Sequence, residues 1–137
     1  LSDDTSIMLS EEDYEELFQD LDEMIGDEFG GFAYHSCGVW EKKIHMVKSY
    51  RNIRCADGAF SIETDPSPNN PEHFADPFNG SKIVLNARAV GNVENSYTAF
   101  EKLWRPKQKL ICVTYCKTPG EQEKLYNLLH EMEEQDL

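Results

Sequence analysis

The sequence predicts an α/β domain built on four parallel strands. Three observations carry this. The hydrophobic segments run helix, strand, helix, strand, short helix, strand, helix, strand, helix, and strands alternating with helices form right-handed βαβ units around a parallel sheet. The runs Ile83-Val84-Leu85 and Leu110-Ile111-Cys112-Val113 are nearly continuous in apolar residues, the pattern of strands covered on both faces. The 137 residues suit a single domain, 1–137, with a core that needs no disulfide or metal staple. Pattern and length fit either a compact doubly wound sheet or one half of an eight-stranded barrel.

The first element runs from Ser10 to about Gly26. Ser10 and Asp13 resemble a capping box with Asp in place of Glu. Tyr14, Leu17, Phe18, Leu21, Met24 and Ile25 recur at helical spacing as one apolar stripe, with acids on the other face. Gly30-Gly31 ends it. A strand follows over residues 32–37, stopped by Gly38, and Val39, Trp40, Ile44, Val47 and Tyr50 predict a second helix. Residues 52–63 read as extended, with the strand placed at 56–63 and Gly58 as a break. The turn-rich stretch from Asp65 to Pro71 leads into a short helix. The clearest strand is 82–88. Tyr97, Phe100, Leu103 and Trp104 predict the next helix, closed by Pro106, and the last strand is 109–116. Thr118, Pro119 and Glu121 then form a helix start, followed by a stripe of Leu125, Leu128, Leu129 and Met132 and a charged tail.

The net charge is −13, from 26 acids against 13 Lys+Arg. Nucleic acid and anionic membrane surfaces both require a basic face, so neither is expected as a partner. The acids are concentrated: residues 1–30 hold twelve and no Lys or Arg. That reads as a solvated helix face or as a docking surface for a basic partner. No segment approaches the roughly 18 apolar residues of a membrane span, and the acidic start is unlike a secretory leader. Cys37, Cys55, Cys112 and Cys116 are therefore expected as free thiols or metal ligands in a cytoplasmic protein, not as disulfides. The chain opens on Leu1 and not Met, the expectation being a processed, trimmed or excised piece.

His35 and Cys37 lie two apart near the end of a predicted strand, which turns both side chains to one face. That end is where parallel α/β proteins build their sites. Imidazole nitrogen and thiolate sulfur are good zinc ligands; the alternative is a buried histidine beside a small apolar cysteine. Cys116 also ends a predicted strand and is the candidate third ligand, with Cys112 four residues deeper in the core. Three protein ligands and an open position make the catalytic zinc pattern. Arg88 is either an anion binder or the partner of Glu63 or a loop carboxylate. Asp57 and Glu63 flank the mouth of the sheet in an unspecified register. His45 and His130 read as surface residues on helices, and His73 as part of a polar loop region.

Tyr34-His35-Ser36-Cys37-Gly38 resembles the strand signature of the uroporphyrinogen decarboxylase superfamily, which includes corrinoid-linked methyltransferases. Asp3-Asp4 followed by Met8-Leu9-Ser10-Glu11-Glu12 resembles the end of the fourth barrel strand and the helix after it. Gly80 to Gly91 resembles the seventh strand and its turn, and Cys112 to Pro119 the eighth strand entering its helix. The likeness covers most of this chain but only the C-terminal half of a family member. It implies a parallel four-stranded half of a TIM-type (β/α)8 barrel with flanking helices. In the methyltransferase branch, His35, Cys37 and Cys116 match the zinc ligands. The zinc there lowers a substrate thiol's pKa, and the thiolate takes a methyl group from a corrinoid carried by a partner protein. The decarboxylase branch, in porphyrin biosynthesis, uses no metal and relies on the N-terminal half of the barrel. Here the Gly-rich turn usual after the cysteine is shortened to Lys117-Thr118.

A half-barrel leaves its first and last strands as open edges. Self-association, or pairing with a complementary N-terminal half-barrel, is therefore expected. Three inter-strand steps of roughly 4.8 Å separate those edges by about 14 Å, too far for His35, Cys37 and Cys116 to share one ion in an open sheet. The isolated chain is expected to bind metal weakly through His35 and Cys37, and to catalyse neither methyl transfer nor decarboxylation.

Overall fold

The computed structural model describes residues 2–135; Leu1 and the last two residues of the charged tail lie outside them. A four-stranded parallel sheet has the order β1 (Phe32–His35), β2 (Ile53–Ala59), β3 (Val84–Arg88), β4 (Leu110–Val113). β1 and β4 are its edges. The helices are α1 (Glu11–Tyr14), α2 (Asp20–Phe29), α3 (Ile44–Ser49), α4 (Pro71–Phe78), α5 (Val93–Leu103) and α6 (Pro119–Gln135). A π-helical turn, Glu15–Gln19, fuses α1 to α2, and a 3-10 turn, Glu41–Lys43, leads into α3. No described helix is long and apolar enough to cross a membrane.

The caps explain several boundaries. The Ser10 hydroxyl accepts from Asp13 N–H at 3.0 Å, and the shorter Asp13 carboxylate takes the hydroxyl proton at 2.7 Å instead of reaching back to the backbone. Thr118 and Glu121 form the full reciprocal box: Thr118 Oγ1 accepts from Glu121 N–H at 3.2 Å, and Glu121 Oε2 accepts from Thr118 N–H at 3.1 Å.

The strands are shorter than their sequence pattern. β1 ends at His35, leaving Cys37 in the bend beyond it. β2 begins at Ile53, where Phe32 offers a partner, and stops at Ala59 ahead of the Ser61–Asp65 turn. β4 ends at Val113, opposite the last residue of β3, so Cys116 also lies past its strand.

The sheet is not covered on both faces. Burial alternates along β1 and β3. Tyr34, Ala56, Leu85 and Ala87 point into a helix-covered core with Trp40, Phe60, Phe74 and Phe78. Val84 and Arg88 of the opposite face are half-buried, and Ile111 beside them is 51% exposed. Cys112 packs against the core, as its spacing predicts.

The largest departure from the sequence pattern is the first helix. Tyr14 is buried, but Leu17, Phe18, Leu21, Met24 and Ile25 are exposed, while Asp22, Glu23 and Gly26 face inward. A π turn holds one residue more than an α turn and so advances the buried face by one position. The positions below Tyr14 move from 21 and 25 to 22 and 26. Tertiary contacts hold this arrangement. A Cβ at Gly26 would lie 2.7 Å from the Phe32 ring, so only glycine lets α2 approach β1 this closely. Asp22 accepts hydrogen bonds from Tyr14 at 2.5 Å and Tyr50 at 2.8 Å, and Glu23 pairs with Arg51.

Candidate metal centre

The site lies at the C-terminal end of β1, where the beginning of the chain returns to the sheet edge. Ser2 forms an isolated parallel bridge with His35, and Asp3 N–H donates to the His35 carbonyl at 2.8 Å. Ser6, fully buried, bonds Tyr34 Oη at 2.6 Å and donates to the Asp3 carbonyl at 2.8 Å. Burial pushes the Tyr34 phenol up to about 12, which keeps it protonated in this network. Asp4 is thereby held beside the bend after β1, and its Oδ1 accepts from Cys37 N–H at 2.8 Å. Gly38 completes the bend at φ 73°, a left-handed conformation that glycine adopts without strain.

Asp4, His35 and Cys37 bring their ligand atoms within 4.8 Å of one another. His35 Nε2 is 3.8 Å from Cys37 Sγ and 3.8 Å from Asp4 Oδ1. Ligand atoms around a tetrahedral zinc stand about 3.3–3.7 Å apart, given bonds of 2.0–2.3 Å. The donor set of carboxylate oxygen, imidazole nitrogen and sulfur suits zinc. Without an ion, burial and then the Asp4 carboxylate raise the Cys37 thiol above its ordinary range. The Cys37 backbone N–H is the main cause that lowers the Asp4 carboxyl.

The histidine is oriented from behind. In the register His35–Asp57–Asn86–Ile111, neighbouring strands place Asp57 directly beside His35. The nearly buried Asp57 carboxylate meets His35 Nδ1, accepts from Asn86 Nδ2 at 2.8 Å, and takes Arg88 Nε at 3.1 Å on each oxygen. With Nδ1 engaged, Nε2 is the nitrogen turned to Asp4 and Cys37. This carboxylate–histidine arrangement is the one that fixes metal-binding imidazoles in proteins.

Cys116 is not a member of this group. It borders a separate hollow with Glu63, Gly91 and Tyr115, past the C-terminal ends of β2, β3 and β4. Arg88 pairs with Asp57 and not with Glu63. His45 is exposed; His130 is exposed on α6 beside Glu133; His73 lies within α4 and meets Glu41 at 2.9 Å. All four cysteines are free thiols.

Sequence reasoning missed Asp4 as a donor and left Asp57 without a role. Asp4 belongs to a motif already singled out, Asp3-Asp4, but only its return beside β1 reveals its use. Asp57 needed the β1–β2 register. No protein-family model, curated protein or solved structure matches the chain.

Proposed function

We propose that this chain is the C-terminal half-barrel of a uroporphyrinogen decarboxylase-superfamily protein of the zinc-dependent, corrinoid-linked methyltransferase kind. The observation that carries the reading is the Asp4–His35–Cys37 cluster, which brings together two of the three ligands the resemblance implies, with Asp4 in the place of Cys116 and Asp57 fixing the imidazole. The parallel bridge at Ser2 supports the half-barrel part. It puts the start of the chain alongside β1, where a preceding barrel strand would run. The uncovered sheet face, carrying Asp57, Asn86 and Arg88, has the place and polarity of a barrel interior near its mouth.

Zinc held here would act as a Lewis acid that lowers the pKa of a bound substrate thiol. Asp4 and Cys37 supply anionic donors, and the chain's own hydrogen bonds hold both in place before the ion arrives. His35 supplies a neutral donor whose tautomer Asp57 selects. Arg88 presents a buried Nη2 with no hydrogen-bond partner among the described residues, a donor available to an anionic substrate group. The methyl donor is a methylated corrinoid on a separate protein. A barrel site draws groups from strands around the whole ring, so the isolated chain performs neither methyl transfer nor decarboxylation.

The test is metal content. Purified chain, dialysed with zinc and then freed of excess, should retain one ion per chain. Asp4→Asn, His35→Ala and Cys37→Ser should each lose it, while Cys116→Ser keeps it. A folded, metal-free protein that takes up no zinc removes the reading. Zinc retention that depends on Cys116 and not on Asp4 overturns the ligand set.

A further inference from the structure

The two edges of the sheet carry opposite charge, and each is flanked by uncovered apolar side chains. On the β1 side, the outward stripe of the first helix exposes Leu21 by 55%, Met24 by 65% and Phe29 by 80%. Residues 1–30 around it contain twelve acids and no base. Glu16, Asp20 and Glu28 are exposed and form no ion pair among the described residues. On the β4 side, Ile111 is 51% and Tyr115 74% exposed. Residues 102–120 contain five Lys or Arg and no acid. Lys102 and Arg105 are engaged by Glu72 and Asp76, but Lys107, Lys109 and Lys117 are exposed with no ion pair among the described residues.

We infer that a second copy of this chain covers the β1 side, presenting its β4 edge to the acidic helix stripe. The inference rests on the half-barrel reading above and names the occupant of its open edges. A run of exposed large apolar side chains along one surface helix marks an interaction site. Acid-on-acid stacking of two such helices is repulsive, whereas the β4 edge supplies both the missing positive charge and apolar area. The ends also correspond. α2 runs opposite to the strands, so Glu28 lies at the N-terminal end of the sheet, level with Lys107 and Lys109 just before β4. A two-fold axis makes the contact twice, β4 of each copy meeting the β1 side of the other, so no edge is left to propagate a chain.

Sedimentation of the full chain tests this with charge reversals. Wild type should be dimeric. Leu21→Asp combined with Met24→Asp should weaken the dimer more than about tenfold. Asp20→Lys with Glu28→Lys, and separately Lys107→Glu with Lys109→Glu, should each give monomers. Mixing those two charge variants should restore a dimer, because one contact is then reversed on both sides and the other is native. Circular dichroism on each variant ensures that only folded chains are compared. A wild-type chain that stays monomeric, including one that captures some other polypeptide on this face, overturns the inference. So does a dimer that survives both charge variants, or variants that do not rescue one another. Zinc content on the same samples reports the metal reading separately: a monomer that keeps its zinc refutes only the dimer, and a zinc-free dimer refutes only the metal site.

Discussion

Replacing Asp57 with asparagine tests whether the polar row across the sheet is a built site or incidental surface chemistry. The carboxylate takes Arg88 Nε at 3.1 Å on both oxygens, Asn86 at 2.8 Å and the His35 ring, with only 12% of the side chain exposed. An asparagine has the same shape but one oxygen. Its amide group must face one of these donors. Hydrogen bonds to charged groups are worth about 1.5–3 kcal/mol each, and breaking a buried ion pair costs about 3–5 kcal/mol. Arg88 is 26% exposed, so solvent stabilises part of its freed charge and places the loss at about 3 kcal/mol. For a chain of this size that lowers the melting temperature by about 10 °C. Urea denaturation followed by fluorescence of the buried Trp40 measures it. Asp57→Asn combined with Arg88→Met removes both charges, and should be at least about 1 kcal/mol more stable than the sum of the single changes. Zinc affinity of Asp57→Asn should fall about 10–100-fold, through the loosened imidazole. A destabilisation below about 0.5 kcal/mol, strictly additive with Arg88→Met, would show that the row holds nothing in place.

Three further outcomes are expected. Gly26→Ala sets helix propensity, worth about 1 kcal/mol in favour of alanine, against overpacking worth about 1–3 kcal/mol; with Phe32 only 2.7 Å from the new Cβ, thermal unfolding should show net destabilisation, and a more stable variant would mean that α2 does not sit on β1 this closely. Tyr50→Phe removes a donor from the buried Asp22 carboxylate and should cost about 1.5–3 kcal/mol in urea titrations, whereas an unchanged midpoint would show that Asp22 faces water. Only the thiolate is alkylated, so Cys37, whose pKa is raised first by burial and then by Asp4, should label more slowly at neutral pH than a free cysteine and accelerate only above the ordinary thiol range. Cys112, pushed up to about 12 by burial, should resist labelling in the native state; peptide mass mapping distinguishes the two. Rapid labelling of Cys112 at pH 7 would contradict its burial, and rapid labelling of the exposed Cys37 would show that Asp4 does not act on its thiol.

Much of the architecture is legible in the residues because local and tertiary preferences agree there. Thr118-Pro119 and Glu121 start α6, Ser10 caps α1 through Asp13, and strand and helix alternate in the expected order. The reading fails where a local pattern meets a tertiary constraint. The apolar spacing from Tyr14 to Ile25 is a sound helix signal, yet it points the wrong way, because the π turn at Glu15–Gln19 shifts the phase. No spacing rule announces that turn. The continuous apolar runs at Ile83 and Leu110 suggest two covered faces, but only the helix-bearing face is filled.

The sequence by itself determined the elements, their order, the parallel sheet and the pairing of His35 with Cys37 near a strand's end. The elements and the His35–Cys37 pair depend on contacts a few residues apart, which periodicity and capping encode directly, and the parallel pairing follows from the alternation of strand and helix. Only the tertiary structure decided that Asp4 joins that pair, that Asp57 stands behind His35, and that Cys116 lies elsewhere. Asp4 and Cys37 are 33 residues apart, and Asp57 is 22 from His35. Such neighbours are set by strand register and by where the chain crosses an edge, and a one-residue change in either would exchange one face of the sheet for the other.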